Sequence, residues 1–224
     1  MVRLFSPTFA PMKMNKTTIF LISFFMLLGI GFIGYVFPKI KENQNKEPKL
    51  PIVGNDQNHH ISPFSFVNQD GKTVTNADVK GKICVVEYFF ATCKGICPKM
   101  NENMEKVYKA FLGNKNVLLL SHTVDPDKDT VKALKAYSLR FDANPEQWMF
   151  LTGGKKELYD MARYSYLVTA ADDTATVAIA ADFIHTDRFV LVDRDVHIRG
   201  QYEGTQDATV NLLITDIREL LKER

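Results

Sequence analysis

Apolar and polar positions divide the chain into one long apolar run, a polar stretch, and a region where short apolar strands alternate with amphipathic helices. From Thr17 to Phe37 no charged residue occurs, and TIFLISFFMLLGIGFIGYVF is almost wholly apolar. As a helix rising about 1.5 Å per residue, it matches the roughly 30 Å hydrocarbon core of a bilayer. No small-residue cleavage signal follows Phe37, where the chain continues Pro38, Lys39, Ile40, Lys41, and no cysteine precedes Cys84. The run therefore reads as an uncleaved anchor rather than a signal peptide or a lipoprotein leader. Lysines flank it on both sides, so the positive-inside rule assigns no orientation. The expected division is a short segment 1–16, an anchor 17–37, a polar linker 38–58 rich in Lys, Glu, Asn, Gln and Pro, and a folded domain 59–224.

Within the domain, Phe64–Val67 and Lys72–Val74 flank Asp70-Gly71, a hairpin signal. Ile83–Phe90 is apolar, β-branched and aromatic, as a strand buried on both faces requires. Pro98 suits a first helical turn, and Met100, Met104, Val107, Tyr108 and Phe111 follow at helical spacing until Gly113-Asn114 stops the helix. Val117–Leu120 predicts a second buried strand. Asp129 and Thr130 are candidate caps for a helix running to about Leu139. Trp148–Leu151 predicts a third strand, and a helix follows from about Lys156 to Tyr164. Phe189–Asp193 and His197–Tyr202 alternate around Arg194-Asp195 as a second hairpin. A final helix carries Val210, Leu213, Ile214, Ile217, Leu220 and Leu221 on one stripe. Strands alternating with helices, then a hairpin and a helix, predict a central sheet covered on both faces.

Composition narrows the function. Residues 1–49 hold seven Lys/Arg against two Asp/Glu, whereas residues 50–224 hold 21 basic and 24 acidic side chains. The folded part is therefore slightly acidic, and a nucleic-acid partner is not expected. Three cysteines in 224 residues make no disulfide framework, so thiol chemistry must be concentrated at one local site.

That site is Cys93-Lys94-Gly95-Ile96-Cys97-Pro98, at the junction of a buried strand and a helix. Two thiols four residues apart near a first helical turn share one side and can close a disulfide or hold one metal ion. The helix N-terminus and Lys94 are expected to favour thiolate. Soft sulfur ligands favour Cu(I), with zinc as the other candidate.

EYFFATCKGICPKMNENM, SHTVDPDKDT, WMFLTG and DFIHTDRFVLVDRDVHIRGQYEG, in that order over roughly residues 60–220, resemble the Sco/SenC family of copper-binding assembly proteins. The resemblance implies an α/β, thioredoxin-like fold, a central mixed sheet flanked by helices, behind an N-terminal transmembrane helix. It also implies that Cys93, Cys97 and His185 ligate copper, as Cu(I) or Cu(II). Lys94 and Gly95 stand where many members carry Pro and Asp, and Ile184 where many carry an acidic residue; these changes bear on the electrostatics around the ligands. The implied role is that of a copper metallochaperone for the CuA centre in subunit II of cytochrome c oxidase or a related respiratory oxidase. A copper donor or thiol reductant would be a further partner. The implied location is the cell inner membrane, single-pass, with the domain on the periplasmic side.

Two other readings use the same cysteines. A thiol–disulfide oxidoreductase would reduce the acceptor's cysteines before metallation, with Cys93 as nucleophile and Cys97 resolving. A thiol peroxidase has weaker support, because the Ala91-Thr92-Cys93 segment matches that chemistry only loosely and no arginine lies close in sequence. Cys84 is expected to be a core hydrophobe, and Met100 and Met104 are expected to be core residues. His59-His60 reads as an exposed pair without partners, His122 as a weak candidate near the site, and His197 as structural. Asp125, Asp127 and Asp129 are explained by ending a strand and capping a helix.

Overall fold

The computed structural model describes residues 15–44, 50–54, 59–168 and 186–223. Two compact units emerge, Met1–Lys49 and Leu50–Arg224. In the first, helix α1 spans Lys16–Gln44. Its Lys16–Lys39 portion, 24 residues of mean hydropathy 2.4, is long and apolar enough to cross a membrane, reaching about 36 Å at the helical rise. The helix continues past Pro38 to Gln44, through Lys, Glu and Gln residues that favour helix once preceding turns exist.

The second unit is built on a seven-stranded sheet. Its strands are β1 (Ser65–Asn68), β2 (Thr73–Thr75), β3 (Ile83–Phe89), β4 (Val117–Thr123), β5 (Trp148–Thr152), β6 (Arg188–Val192) and β7 (Ile198–Glu203). Their spatial order is β2-β1-β5-β4-β3-β6-β7. The central β3, β4 and β5 run parallel, whereas β1, β2, β6 and β7 join antiparallel. The two predicted hairpins are thus the edges of one mixed sheet. Among the described residues, helices α2 (Asn76–Val79), α3 (Cys97–Ala110), α4 (Val131–Ser138), α5 (Lys155–Asp160) and α6 (Asp207–Lys222) accompany the sheet.

Every residue of β3, β4 and β5 is buried, as continuous apolar runs in a parallel sheet require. Alternation along β3 sorts its side chains. Ile83, Val85 and Phe89 pack with Met100, Met104 and Val107 of α3 and with Val210, Leu213 and Ile217 of α6. Cys84, Val86 and Tyr88 pack on the other face with Phe64, Phe66, Leu158 and Tyr166.

Three expectations needed adjustment. β4 continues through Ser121, His122 and Thr123, all fully buried; polar residues end a strand only where their partners are water, and here two of them meet buried carboxylates. The helix expected over Lys156–Tyr164 is α5 followed by a π-helical turn, Met161–Ser165. At α4 only Thr130 caps, its hydroxyl accepting from Ala133 N at 3.3 Å. Asp129 is buried and used elsewhere, as described below.

The second unit begins before residue 59. Val53 bridges Ile198 on the β7 edge, its N–H donating to the Ile198 carbonyl at 2.8 Å. The Leu50 carbonyl accepts from Arg199 Nε at 3.0 Å and Nη2 at 2.6 Å.

Candidate metal centre

β3 delivers the chain to the site at Phe89, whose carbonyl still accepts from Val124 N at 2.9 Å. Beyond it, Ala91 N donates to both carboxylate oxygens of Asp129, at 3.3 and 3.1 Å. Thr123 Oγ1 donates to the same carboxylate at 2.5 Å. Asp129 therefore pins the loop that carries Cys93 rather than capping α4. A turn closed by Cys93 N donating to Phe90 O at 3.2 Å follows. α3 then starts at Cys97, with Ile96 at the N-cap and Pro98 in the first turn. Asn101 Nδ2 donates to the Cys97 carbonyl at 2.9 Å, fixing that turn from inside the helix.

Both thiols are free; Cys97 is buried and Cys93 is partly exposed. They are close enough to influence each other's ionisation. Both line a cavity of about 290 Å³ with Tyr88, Phe89, Phe90, Lys94, Ile96, Val124 and Thr186. A larger groove of about 510 Å³, bordered by Lys72, Asp78 and Lys115, has no thiol or imidazole among its lining residues.

The thiolate expectation fails at Cys97. Burial pushes its thiol up to about 12, the nearby Cys93 thiol adds to this, and a backbone hydrogen bond from Phe90 only partly offsets it. The helix N-terminus sits in a low-dielectric surround, where removing a charge from water costs more than the dipole returns. The pair is therefore asymmetric: a reachable sulfur in front and a protonated one behind. Two soft donors in an apolar cavity at the surface suit Cu(I) or an exchangeable disulfide.

Glu87, which sequence reading passed over inside an apolar run, lies behind the pair. It is fully buried on β3 and accepts from Ser121 Oγ at 2.5 Å, and that hydroxyl accepts from Trp148 Nε1 at 2.9 Å. Its second oxygen has no hydrogen-bond partner. Burial pushes its carboxyl up to about 7, and its charge opposes ionisation of both Cys97 and Tyr137. The only sequence signal was a charge where a doubly buried strand should have none.

His185 lies outside the described residues. Thr186, the residue after it, borders the thiol cavity. Cys84 is in the core on the opposite face of β3, its thiol pushed up to about 12 by burial. Met100 and Met104 are fully buried core residues. His122 is buried among Phe64, Phe66, Tyr88 and Tyr166, away from the thiol face, and neither ring nitrogen has a hydrogen-bond partner. Asp125 pairs with Lys128 at 2.9 Å and anchors the turn into α4. His59 and His60 are not partnerless: His59 Nε2 lies 2.8 Å from Ser165 O, and the His60 ring lies against that of His197. Among the described residues no group of three or more His, Cys, Asp or Glu side chains is arranged to hold a metal ion.

The SCO1/SenC family model matches residues 53–222. The SCO1 protein homolog of Bacillus subtilis is 29% identical over 163 residues, 72% of this chain and 82% of that protein. The crystal structure of a SCO1/SenC family lipoprotein from Bacillus anthracis is 30% identical with a TM-score of 0.63, covering 74% of this chain and 96% of that one. ScoI of Bradyrhizobium japonicum, solved with copper bound, is 25% identical with a TM-score of 0.57, covering 72% of this chain and 99% of that one. BsSco, in which a disulfide switch has been identified and which is described as a member of the Sco family of cytochrome c oxidase assembly proteins, is 28% identical with a TM-score of 0.62, covering 77% of this chain and 99% of that one. The mixed sheet with flanking helices is the thioredoxin-like arrangement of these structures. With its family model spanning the whole sheet and both cysteines, the chain belongs to the SCO1/SenC family.

Proposed function

We propose that this protein is a membrane-anchored copper metallochaperone that binds copper through Cys93, Cys97 and His185 and assists assembly of the CuA centre in subunit II of a cytochrome c oxidase or related respiratory oxidase. The observation that carries the reading is the thiol pair itself: two free cysteines in one surface cavity, with the residue after His185 on its wall. Support also comes from ScoI of Bradyrhizobium japonicum, solved with copper bound, 99% of whose chain is matched here. Copper here is cargo. Each Cu(I) taken up displaces thiol protons to solvent or a base, and the acceptor's thiolates then replace Cys93 first, because it is the exposed ligand, and Cys97 second. In this reading residues 17–37 are the anchor, residues 38–58 connect it to the sheet with Leu50 and Val53 already bonded at β7, and the domain lies on the periplasmic side of the inner membrane.

The asymmetry of the thiols favours a second reading, thiol–disulfide exchange. The Cys93 thiolate attacks an acceptor disulfide and releases one acceptor thiolate. Cys97 then attacks Cys93 Sγ and releases the other, leaving the acceptor reduced and this protein oxidised. An external thiol reductant must restore the dithiol.

The two readings part at His185. In His185→Ala protein, copper retention by the full chain in detergent should fall by about a hundredfold or more, since even supporting residues of metal sites cost 10–100-fold, while disulfide exchange with a model disulfide stays within about twofold. One copper per chain held by this variant with unchanged affinity would remove the three-ligand reading and leave exchange alone.

A further inference from the structure

Two of the chain's five histidines, His60 and His197, meet beside the β6–β7 turn, at the pole of the sheet opposite the thiols. β3 fixes those poles: Cys84 pairs with Val192 just before that turn, whereas Phe89 leads toward Cys93. His60 Nδ1 lies 3.2 Å from the Asp195 carbonyl. A carbonyl only accepts, so Nδ1 carries the proton and Nε2 keeps its lone pair. His197 Nδ1 faces Asp193 Oδ1 at 3.6 Å, orienting its ring in the same sense. Asp193 is itself fixed by Asp195 N at 2.9 Å, His197 N at 3.0 Å and Arg199 Nη1 at 2.9 Å. Ile61 N donates to Val196 O at 2.9 Å, tying the two segments together next to the rings.

The ring centroids of His60 and His197 are 4.1 Å apart, with planes tilted 35°. With metal–nitrogen bonds of about 2.0–2.1 Å, two imidazoles at a right angle around one ion place their centroids about 4.4 Å apart. The rings already sit within a few tenths of an ångström of that spacing. His60 is exposed and His197 partly so, which leaves room for water to fill the remaining positions.

We infer that His60 and His197 form a second metal site, a pair of adjacent imidazole ligands for divalent copper completed by water. Nitrogen and oxygen donors in tetragonal geometry suit Cu²⁺, which also outranks Ni²⁺ and Zn²⁺ at a given nitrogen site. The Asp195 carbonyl is the outer partner that holds the His60 imidazole, and the Asp193 carboxylate lies beside the His197 ring. With two protein ligands the site exchanges its ion readily, and its chemistry is distinct from the sulfur pair at the other pole.

The test uses full-length protein in detergent carrying Cys93→Ser and Cys97→Ser, given one equivalent of Cu²⁺. Electron paramagnetic resonance should show a tetragonal signal with two nitrogen ligands. Adding His60→Ala should leave one nitrogen and weaken binding by about tenfold or more; adding His197→Ala should do the same. His60 is exposed, so its removal leaves the fold intact, and with both cysteines present His60→Ala should retain its thiol-bound copper. A two-nitrogen signal that survives both substitutions would overturn the proposal. So would a signal abolished by His185→Ala alone.

Discussion

Glu87 and His122 are both fully buried and incompletely hydrogen-bonded, yet they bias stability in opposite directions with pH. Burial pushes the Glu87 carboxyl up from 4.5 to about 7. The folded protein therefore binds that proton more tightly than the unfolded chain does. The stability it confers is full below about pH 4.5, falls as pH rises toward 7 and is level above. Burial pushes the His122 imidazole down from 6.5 to about 3, so its contribution is intact above pH 6.5 and is lost as pH falls toward 3. Between 4.5 and 6.5 the two slopes oppose by about one proton each and nearly cancel. Glu87→Gln should match the parent near pH 4.5 and exceed it by about 3 kcal/mol above pH 7, with stability rising through the window. His122→Leu removes two unpaired nitrogens at similar volume; it should gain about 1–3 kcal/mol at pH 7 and more at pH 5. Urea midpoints followed by fluorescence of Trp148, the single tryptophan, measure both; a parent that lost stability steeply between pH 6.5 and 5 would contradict the cancellation.

At the scale of elements, the β3–α3 junction depends on a side chain from the far side of β4. Asp129→Ala strips Ala91 N and Thr123 Oγ1 of their shared acceptor. It should cost about 2–4 kcal/mol and speed amide exchange at Ala91, whereas Thr130→Ala, which removes only a cap, should cost about 1 kcal/mol. Equal losses would mean that Asp129 does no more than cap. The contrast also shows what the sequence made legible. Buried strands, both hairpins, the α3 stripe, the Cys93/Cys97 pair and the burial of Cys84, Met100 and Met104 follow from local periodicity and turn chemistry, and were readable. The uses of Asp129 and Glu87, the continuation of β4 through Ser121-His122-Thr123 and the high affinity of Cys97 for its proton were not. Each depends on what distant segments pack against the residue, and a string of letters does not state its dielectric surroundings.

Across the whole second unit, Arg199 joins three distant segments. Nearly buried, it donates to Leu50 O, pairs with Asp193 Oδ2 at 2.9 Å and reaches Glu223 Oε2 at 3.2 Å. Arg199→Met keeps the apolar stem but strands two carboxylates. It should cost about 3 kcal/mol and release the Val53 amide, bonded to Ile198 O, to faster exchange. Unchanged exchange at Val53 would show that the β7 edge alone holds the segment. Leu50 is thus held beside β7 at the level where Cys84 meets Val192, while the sulfurs emerge beyond Phe89. About 17 Å of strand separates the two levels. The hold on Leu50 is therefore remote from the reactive rim, which in the proposed role is the edge an acceptor meets. Altering the length of chain before Leu50 would then change how far the rim can travel, and nothing about what it does on arrival.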